Sequence, residues 1–229
     1  MKIMGIDSST PQGSVAILED GRILAQAEVD KNSTFSNQIL NLIDTVLSKS
    51  NTGLENVDGF CLTTGPGSFT GLRVGASVLK GLILATSKPF VKIDTLEATA
   101  LRATPADNVI CAVLDAKKKE LYTASFRGDN GALERITPDR AIVPEELCQE
   151  IKEPTIFIGN GLDSYGDLLA SRLEGNFLRA PTKLPYTVAA CAVRLVENHF
   201  DDEKLFDLNE LNIKYVRKSE AELNFARFD

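Results

Sequence analysis

The sequence is poor in the residues from which many active sites are built. Its 229 residues include one histidine, His199, so a histidine metal site or a His-based catalytic triad has almost no material. We interpret His199, near the end of a predicted helix, as a surface or capping residue. No two of the four cysteines form a C-x-x-C pair, and we expect the buried, reduced thiols of a cytosolic protein. They are Cys61, Cys111, Cys148 and Cys191.

Positive charge and long apolar segments are also scarce. The chain has 25 lysines and arginines against 32 aspartates and glutamates, a formal net charge of −7. This balance argues against a broad nucleic-acid-binding surface, although a local contact with RNA, or one through a partner, stays open. We find no apolar run of signal-peptide length and none of about 18 residues that would span a membrane. The sequence therefore predicts a cytoplasmic protein.

Two stretches that start about 108 residues apart share one pattern. An apolar run, KIMGID or NVICAVLD, ends in a carboxylate, Asp7 or Asp115, and is followed by a turn and two strand-like segments. Asp20-Gly21 in the first stretch and Asn130-Gly131 in the second suit tight hairpins. The match predicts an internally duplicated, two-lobed α/β protein. Chance similarity is the alternative, since units of three strands are common.

Alternating helix and strand patterns follow each opening. Short apolar runs, GFCLTT, PFVKI and TIFIG, predict buried strands between the helices. Asp94 and Glu97 have the spacing of a capping box, and Ser33 or Ser36 is suited to cap the helix after the first hairpin. The predicted helices cover 33–49, 70–86, the segment from Asp94, 144–151, a stretch near Leu168 and the segment just after Pro185.

Pro105 marks the predicted boundary between the lobes. Residues 1–104 are expected to form the first lobe, and residues 105–229 a second, smaller one. We expect part of the C-terminal segment to return to the first lobe.

The stretch TTGPGSFTGLRVG, from Thr63 to Gly75, joins a predicted strand to the helix over 70–86. A helix N-terminus after a glycine-rich turn is able to bind an anion, because its free N–H groups and its dipole favour negative charge. The spacing G-x-G-x-x-x-G matches neither the dinucleotide fingerprint nor the P-loop, so it is weak evidence for a phosphate site. Ser68 or Thr70 is suited to cap the helix, and Arg73 in the first turn could pair with a carboxylate.

Close packing is the favoured interpretation of the same stretch. Gly65-Pro66-Gly67 makes a sharp turn, and Gly71 and Gly75 lie one turn apart on one helix face. A face without side chains allows another helix to approach closely. Leu40 and Leu47 widen the apolar stripe of the helix over 33–49, so the two helices either form a patch for a partner or are buried against their own sheet. The pattern leaves both possibilities open.

The two carboxylate loops offer unequal chemistry. In DSSTPQGS, Asp7 precedes three hydroxyl side chains, and such a loop is able to hold phosphates while Asp7 positions a metal-bound water. The second loop, DAKKKELY, has no glycine and no hydroxyl before Thr123, so it is poorly suited to hold a triphosphate. Its lysines, 117 to 119, form a solvated turn or attract anions. The sequence thus indicates the frame of an enzyme with little catalytic equipment.

These stretches together resemble the TsaB family, also called YeaZ. The resemblance rests on MKIMGIDSST, TTGPGSFTGLRVG, LDAKKKELYTA and KYVRKSEAE, spans nearly the whole chain, and is most specific at GPGSFTGLR. It implies an α/β fold of the duplicated, two-lobed actin-like class (ASKHA, ribonuclease H-like). It also implies a role in forming threonylcarbamoyladenosine in tRNA, beside the anticodon. Members of the family often carry a histidine where Phe35 stands here, which puts any role of that histidine in doubt.

The resemblance further implies a non-catalytic scaffold that activates a partner. That partner is TsaD, a paralogue that holds the metal and performs the transfer, while the small ATPase TsaE joins the pair and TsaC supplies the threonylcarbamoyl adenylate. A peptidase activity is not supported, because the H-x-x-x-H metal motif of TsaD is absent. We expect no metal and no cofactor of the chain's own, a place for ATP or ADP at the partner interface, and a homodimer in isolation. The alternative is a small actin-fold ATPase or kinase.

Two candidate sites follow, and neither includes a catalytic residue. The contact with TsaD is implied to be a helical bundle made by the first-lobe helices. Its candidate residues are Phe35, Ile39, Leu40, Ile43, Leu47, Gly71, Leu72, Gly75, Ala76 and Leu79. The candidate nucleotide or phosphate loop consists of Asp7, Ser8, Ser9, Thr10, Gly65, Gly67, Ser68 and Arg73.

Overall fold

The first five strands form one mixed sheet in the computed structural model, which describes residues 1–29, 38–129 and 132–217. The spatial order is β3-β2-β1-β4-β5, with β1 antiparallel to β2 and parallel to β4. The predicted hairpin is confirmed at Asp20 and Gly21, both at positive φ. The strands are β1 (Lys2–Asp7), β2 (Ser14–Glu19), β3 (Arg22–Glu28), β4 (Gly59–Gly65) and β5 (Phe90–Asp94).

Two long helices cover one face of this sheet, α1 (Gln38–Ser50) and α2 (Phe69–Thr86). Their buried side chains share one apolar cluster with alternate residues of β1, β2 and β4, which point to that face. The helix α3 (Thr95–Leu101) follows β5 and begins at Asp94, whose side chain accepts a hydrogen bond from the Glu97 amide at 3.0 Å, as the capping-box spacing predicts. The caps proposed for α1, Ser33 and Ser36, lie outside the described residues.

The second half repeats this arrangement. Its sheet has the order β11-β10-β6-β7-β8, so each of these five strands has a counterpart in the first sheet, and β9, paired to β7, is an addition. This repeated topology confirms the duplicated two-lobed α/β fold, although the hairpin turn at residues 130–131 lies outside the described residues. The elements are β6 (Val109–Asp115), β7 (Leu121–Asp129), β8 (Ala132–Arg135), β9 (Arg140–Ile142), α4 (Pro144–Glu150), β10 (Thr155–Ile158), α5 (Gly161–Leu173) and β11 (Phe177–Arg179).

The chain then returns to the first sheet. The helix α6 (Val188–Val196) packs on the face opposite α1 and α2, where Cys191 and Val193 meet the other set of alternate strand residues. Gly5 allows this approach, because a Cβ there would lie 2.6 Å from the carbonyl oxygen of Ala189. After the short helix α7 (Phe200–Glu203), Leu205 pairs with Phe90 at the sheet edge.

Some details differ from the sequence expectations. The short strands β9 and β11 were not predicted, and α6 begins at Val188, with Thr187 rather than Pro185 at its start. The thiol prediction is confirmed by burial for Cys61, Cys111 and Cys191, whereas Cys148 is half-buried, and all four are free. His199 is exposed and stands at the N-cap position of α7.

The helix α2 corrects the expectation that no segment is long and apolar enough to span a membrane. By length and composition alone it reaches that threshold. Its apolar face is buried in this protein, with Leu72, Ala76, Leu79 and Ile83 turned toward the sheet. Packing against the chain's own core therefore accounts for this face of α2, although only 33% of the apolar segment is buried.

Candidate functional site

The first carboxylate loop is closed in this structure. Asp7, at the end of β1, is fully buried, and its Oδ1 accepts hydrogen bonds from the Ser9 amide at 3.0 Å, the Thr63 hydroxyl at 2.6 Å and the Ser9 hydroxyl. Burial raises the pKa of Asp7, although those hydrogen bonds and the charge of Arg102 oppose the rise. The amide of Ser9, which a phosphate would need, is thus occupied by the loop's own carboxylate.

The glycine loop lies directly on top of this closed turn. The Ser68 amide donates a 2.7 Å hydrogen bond to the Ser9 carbonyl oxygen, and a Cβ at Gly67 would come well under 3.0 Å from that same oxygen. Gly65 enters the loop at φ +126°, a conformation that favours glycine. Ser68 caps α2 as predicted, accepting from the Gly71 amide at 3.3 Å. The stretch therefore packs closely within the chain, against the loop after β1 rather than against the helix that the sequence suggested.

These contacts close the candidate phosphate loop, whose role in binding a nucleotide stays a prediction. Its four residues from the end of β1 onward are at most 6% exposed, and the segment that holds Gly65 and Gly67 fills the space above them. A phosphate would reach the loop only if the glycine segment moved away. The four buried residues are Asp7, Ser8, Ser9 and Thr10.

Among the described residues, Arg73 contacts aromatic side chains, and the pairing with a carboxylate that the sequence suggested is not formed. Its guanidinium carbon lies 3.7 Å from the centroid of the Phe69 ring, and its Nε donates a 3.2 Å hydrogen bond to the Tyr215 hydroxyl. The Phe69 and Tyr215 rings are themselves 5.1 Å apart. We call these three residues the aromatic platform. Sequence reasoning missed it, because Tyr215 is distant in the chain and no pattern links it to Phe69.

Most residues of the candidate partner interface are buried within the chain, and their part in a partner contact stays a prediction. Seven of its ten residues are covered by the chain's own sheet and loops, so they form no exposed contact surface: Ile39, Ile43, Gly71, Leu72, Gly75, Ala76 and Leu79. The close approach expected at Gly75 is made by Ser8 of this chain, not by a helix of another protein. Leu40 is 54% exposed, Leu47 is half-buried, and Phe35 lies outside the described residues. The outer side of α2 instead exposes Leu84, at 74%.

The second carboxylate loop is built differently from the first. Asp115, the counterpart of Asp7, receives a 2.8 Å hydrogen bond from the Lys117 ammonium group, and its side chain is 10% exposed. Burial opposes the effect, but these contacts with Lys117 lower the pKa of Asp115. Residues 117–119 all have positive φ, so the lysine run is a tight turn. The side chain of Lys117 is 79% exposed.

A cleft of about 670 Å³ separates the two loops. One wall carries the aromatic platform, and the other carries Asp115 and the lysine turn. Among the described residues that line it, one is a carboxylate, Asp115, and four are cationic. They are Arg73, Lys117, Lys118 and Arg217.

The C-terminal segment fastens the lobes together next to this cleft. The Lys214 amide donates to the Thr64 carbonyl oxygen at 2.8 Å, and the Lys214 ammonium group binds Asp94 of the first lobe at 2.9 Å and Asp139 of the second. Arg135 binds both of these aspartates. This ion cluster, Asp94, Arg135, Asp139 and Lys214, was not found from sequence, since its members are far apart in the chain.

The pKa values of the two aspartates in the ion cluster are shifted in opposite directions. Burial favours a higher pKa for Asp94, but hydrogen bonding with Asp139 and Lys214 and the charge of Arg135 lower it to about 2. Burial and the neighbouring Asp94 raise the pKa of Asp139 to about 6. One proton is therefore held between the lobes under mildly acidic conditions. Within the described residues, no group of three or more His, Cys, Asp or Glu side chains is arranged to hold a metal ion.

The sequence has clear relatives. The family model described as TsaD, tRNA N6-adenosine threonylcarbamoyltransferase, matches residues 29–224. The tRNA threonylcarbamoyladenosine biosynthesis protein TsaB of Haemophilus influenzae is 30% identical over 230 residues, which cover 93% of this chain and 96% of that protein.

Solved structures show the same fold. YeaZ from Pseudomonas aeruginosa has a TM-score of 0.76 at 22% identity, covering 93% of this chain and 99% of that one. Component A of (R)-2-hydroxyglutaryl-CoA dehydratase from Acidaminococcus fermentans has a TM-score of 0.50 at 14% identity and covers 84% of this chain and 96% of that one. At these identities the likeness concerns the fold, which is the actin-like arrangement of two duplicated lobes.

Proposed function

Since the chain belongs to the TsaB (YeaZ) family, we propose that it takes part in forming threonylcarbamoyladenosine in tRNA, as a non-catalytic subunit that activates TsaD. In this proposal TsaD performs the transfer, TsaE joins the pair, and TsaC supplies the activated threonylcarbamoyl group, all in the cytoplasm. The chain contributes a surface and a shape that TsaD requires.

The closed Asp7 loop is the observation that carries the non-catalytic part of the proposal. In a duplicated two-lobed kinase, the carboxylate at the end of the first strand faces the cleft and positions a metal-bound water. Here Asp7 is fully buried, and the Ser68 amide and Gly67 cover the Ser9 carbonyl above it. The residue best placed for catalysis is thus withdrawn from solvent, which favours a supporting role.

The outer layer of α1 and α2 is the surface we assign to the partner. Both helices lie on the same face of the first sheet, and each exposes an apolar side chain, Leu40 on α1 and Leu84 on α2. Exposed leucines on neighbouring helices suit a helical bundle with another protein. A second copy of the chain would cover the same side chains in a homodimer, and ATP or ADP would lie at the edge of the TsaD contact.

Reconstitution tests the proposal. We expect purified TsaD, TsaE and TsaC to form threonylcarbamoyladenosine on tRNA only when this chain is added, and the chain alone to form none. Mass spectrometry of the digested tRNA measures the modified nucleoside. Equal modification without the chain, or modification by the chain alone, would contradict the proposal.

A further inference from the structure

The aromatic platform stands at the edge of the interlobe cleft, and both of its rings are partly exposed. Phe69 is 38% exposed and Tyr215 45% exposed, and the Arg73 guanidinium is held over Phe69 while bonded to Tyr215. An aromatic ring held in this way offers its free side to a stacking nucleobase, and a neighbouring arginine adds a cation–π contribution. Phe69 and Arg73 lie at the beginning of α2, whereas Leu84, the exposed leucine of α2 assigned to the partner, lies near the other end of that helix.

Positive charge faces the platform from the rest of the cleft. Lys117 and Lys118 stand on the left-handed turn of the second lobe, and Arg217, 2.8 Å from Glu120, lines the same space. Lys117 pairs with Asp115 and Arg217 with Glu120, and with Lys118 they line the same cleft as the rings, at positions suited to a backbone phosphate beside a stacked base. The cluster is local, so the chain's net charge of −7 does not oppose it.

The closed Asp7 loop decides what kind of nucleotide this cleft accepts. A nucleoside triphosphate needs a cradle of free amides for its phosphates, and the Ser9 amide is already bonded to Asp7. An unpaired nucleotide in a strand needs only a stacking surface and separate contacts to single phosphates. The volume of about 670 Å³, open at the platform, allows a strand to enter with its base flipped onto the rings.

We propose that the cleft edge formed by Phe69, Arg73 and Tyr215, together with Lys117, Lys118 and Arg217, binds an unpaired nucleotide of an RNA strand. The choice of RNA rests on the proposed function in tRNA modification. The base stacks on the exposed side of the Tyr215 ring, which Phe69 and Arg73 hold in place, and its flanking phosphates meet the lysine turn.

Fluorescence anisotropy with a labelled single-stranded RNA of about six nucleotides tests this site on the full chain alone, at low salt. We expect Tyr215→Ala to weaken binding roughly tenfold, while Tyr215→Phe, which keeps the ring, stays close to wild type. Lys117→Ala should flatten the dependence of log affinity on log salt by about 0.7. Phe206→Ala is the matched control, because Phe206 is an aromatic side chain, 63% exposed, that does not line the cleft.

The outcomes separate this site from the proposed partnership. We expect Tyr215→Ala to bind TsaD as wild type does. If the wild-type chain binds RNA but does not stimulate TsaD, the proposed function fails and the RNA site stands. The RNA site is overturned by absent RNA binding at low salt, by equal effects of Tyr215→Ala and Phe206→Ala, or by wild-type affinity in Tyr215→Ala. Displacement of the RNA by ATP at an equal concentration also overturns it, because the cleft would then be a triphosphate site.

Discussion

Gly75 packs against Ser8 so closely that a Cβ added at Gly75 would lie 3.1 Å from the Ser8 Cβ, and closer still to its hydroxyl oxygen. This contact ties the middle of α2 to the loop after β1. The Ser8 hydroxyl is buried without a hydrogen-bond partner in the described part of the chain, so steric fit is what it contributes.

We therefore expect Gly75→Ala to lower the free energy of unfolding by about 1–3 kcal/mol, through overpacking. Gly81→Ala, in the same helix but with nothing within 4 Å of the added Cβ, should raise it by up to about 1 kcal/mol, because alanine favours helix over glycine. Urea unfolding measures both. Adding Ser8→Ala to Gly75→Ala should recover most of the loss, since the nearest clashing atom is gone. If Gly75→Ala were as stable as Gly81→Ala, the contact with Ser8 would have no energetic weight.

Asp7 is expected to act on stability rather than on nucleotide binding. Asp7→Ala leaves the three donors from Ser9 and Thr63 without their acceptor, which should cost about 2–4 kcal/mol in unfolding free energy. Asp7→Asn keeps an oxygen at that position, and its neutral side chain suits a site where burial raises the pKa of the carboxyl, so its loss of stability should be less than half as large.

Calorimetry with Mg-ATP should show no saturable micromolar binding by the wild type. Such binding, abolished in Asp7→Ala, would support the ATPase or kinase alternative.

The ion cluster predicts a pH dependence of known sign. The pKa of Asp139 is about 6 in the folded protein against an ordinary value of 3.8, so the folded state binds more protons between these values and loses stability as pH rises through them. The pKa of Asp94 is lowered to about 2, so Asp94 affects the pH dependence of stability only below about pH 4. There its contribution to the free energy of unfolding decreases as the pH falls. The stability of wild type relative to Asp139→Asn should therefore decrease from pH 4 to pH 7. Urea unfolding at several pH values measures this difference, and a constant difference would contradict the shared-proton arrangement.

The exposed leucines of α1 and α2 should matter to a partner and not to the fold. Leu40→Glu and Leu84→Glu should each change the unfolding free energy by no more than about 0.5 kcal/mol, because both side chains are largely in solvent. Each should weaken binding to TsaD at least about tenfold, since a charge would be buried in an apolar contact. Leu178→Glu, an exposed leucine of the second lobe, serves as the matched control in calorimetry or sedimentation. If both Leu40→Glu and Leu84→Glu bound TsaD with unchanged affinity, the outer side of α1 and α2 would not be the partner surface.

The features that sequence alone predicted are those encoded locally. The apolar runs ending in Asp7 and Asp115 predicted two matching sheets, and the Ser68 and Asp94 caps follow from residues three positions away. Strand alternation and turn residues act over a few positions, so a single sequence carries them well. The repeated topology could be inferred because both copies keep that local pattern.

The sequence did not predict which segments pack against each helix and sheet face. Glycines on α2 indicate that something approaches closely, but the pattern does not say whether it is another protein or Ser8 of the same chain. The meeting of Tyr215 with Phe69, and of Lys214 with Asp139, depends on where the tail crosses the lobes. Such contacts join residues more than 70 positions apart, where no periodicity applies.

The return of α6 to the first sheet sets the order in which the protein is completed during translation. Ile3, Leu18 and Cys61 are made early, yet the helix that covers them, Val188–Val196, leaves the ribosome roughly 100 residues after β5. At a translation rate of about 5–20 residues per second, one face of the nascent first sheet remains uncovered for on the order of 5–20 s. A chain truncated before Val188 would leave this apolar face of the first sheet exposed to solvent. We expect such a chain to depend on chaperones or to be degraded.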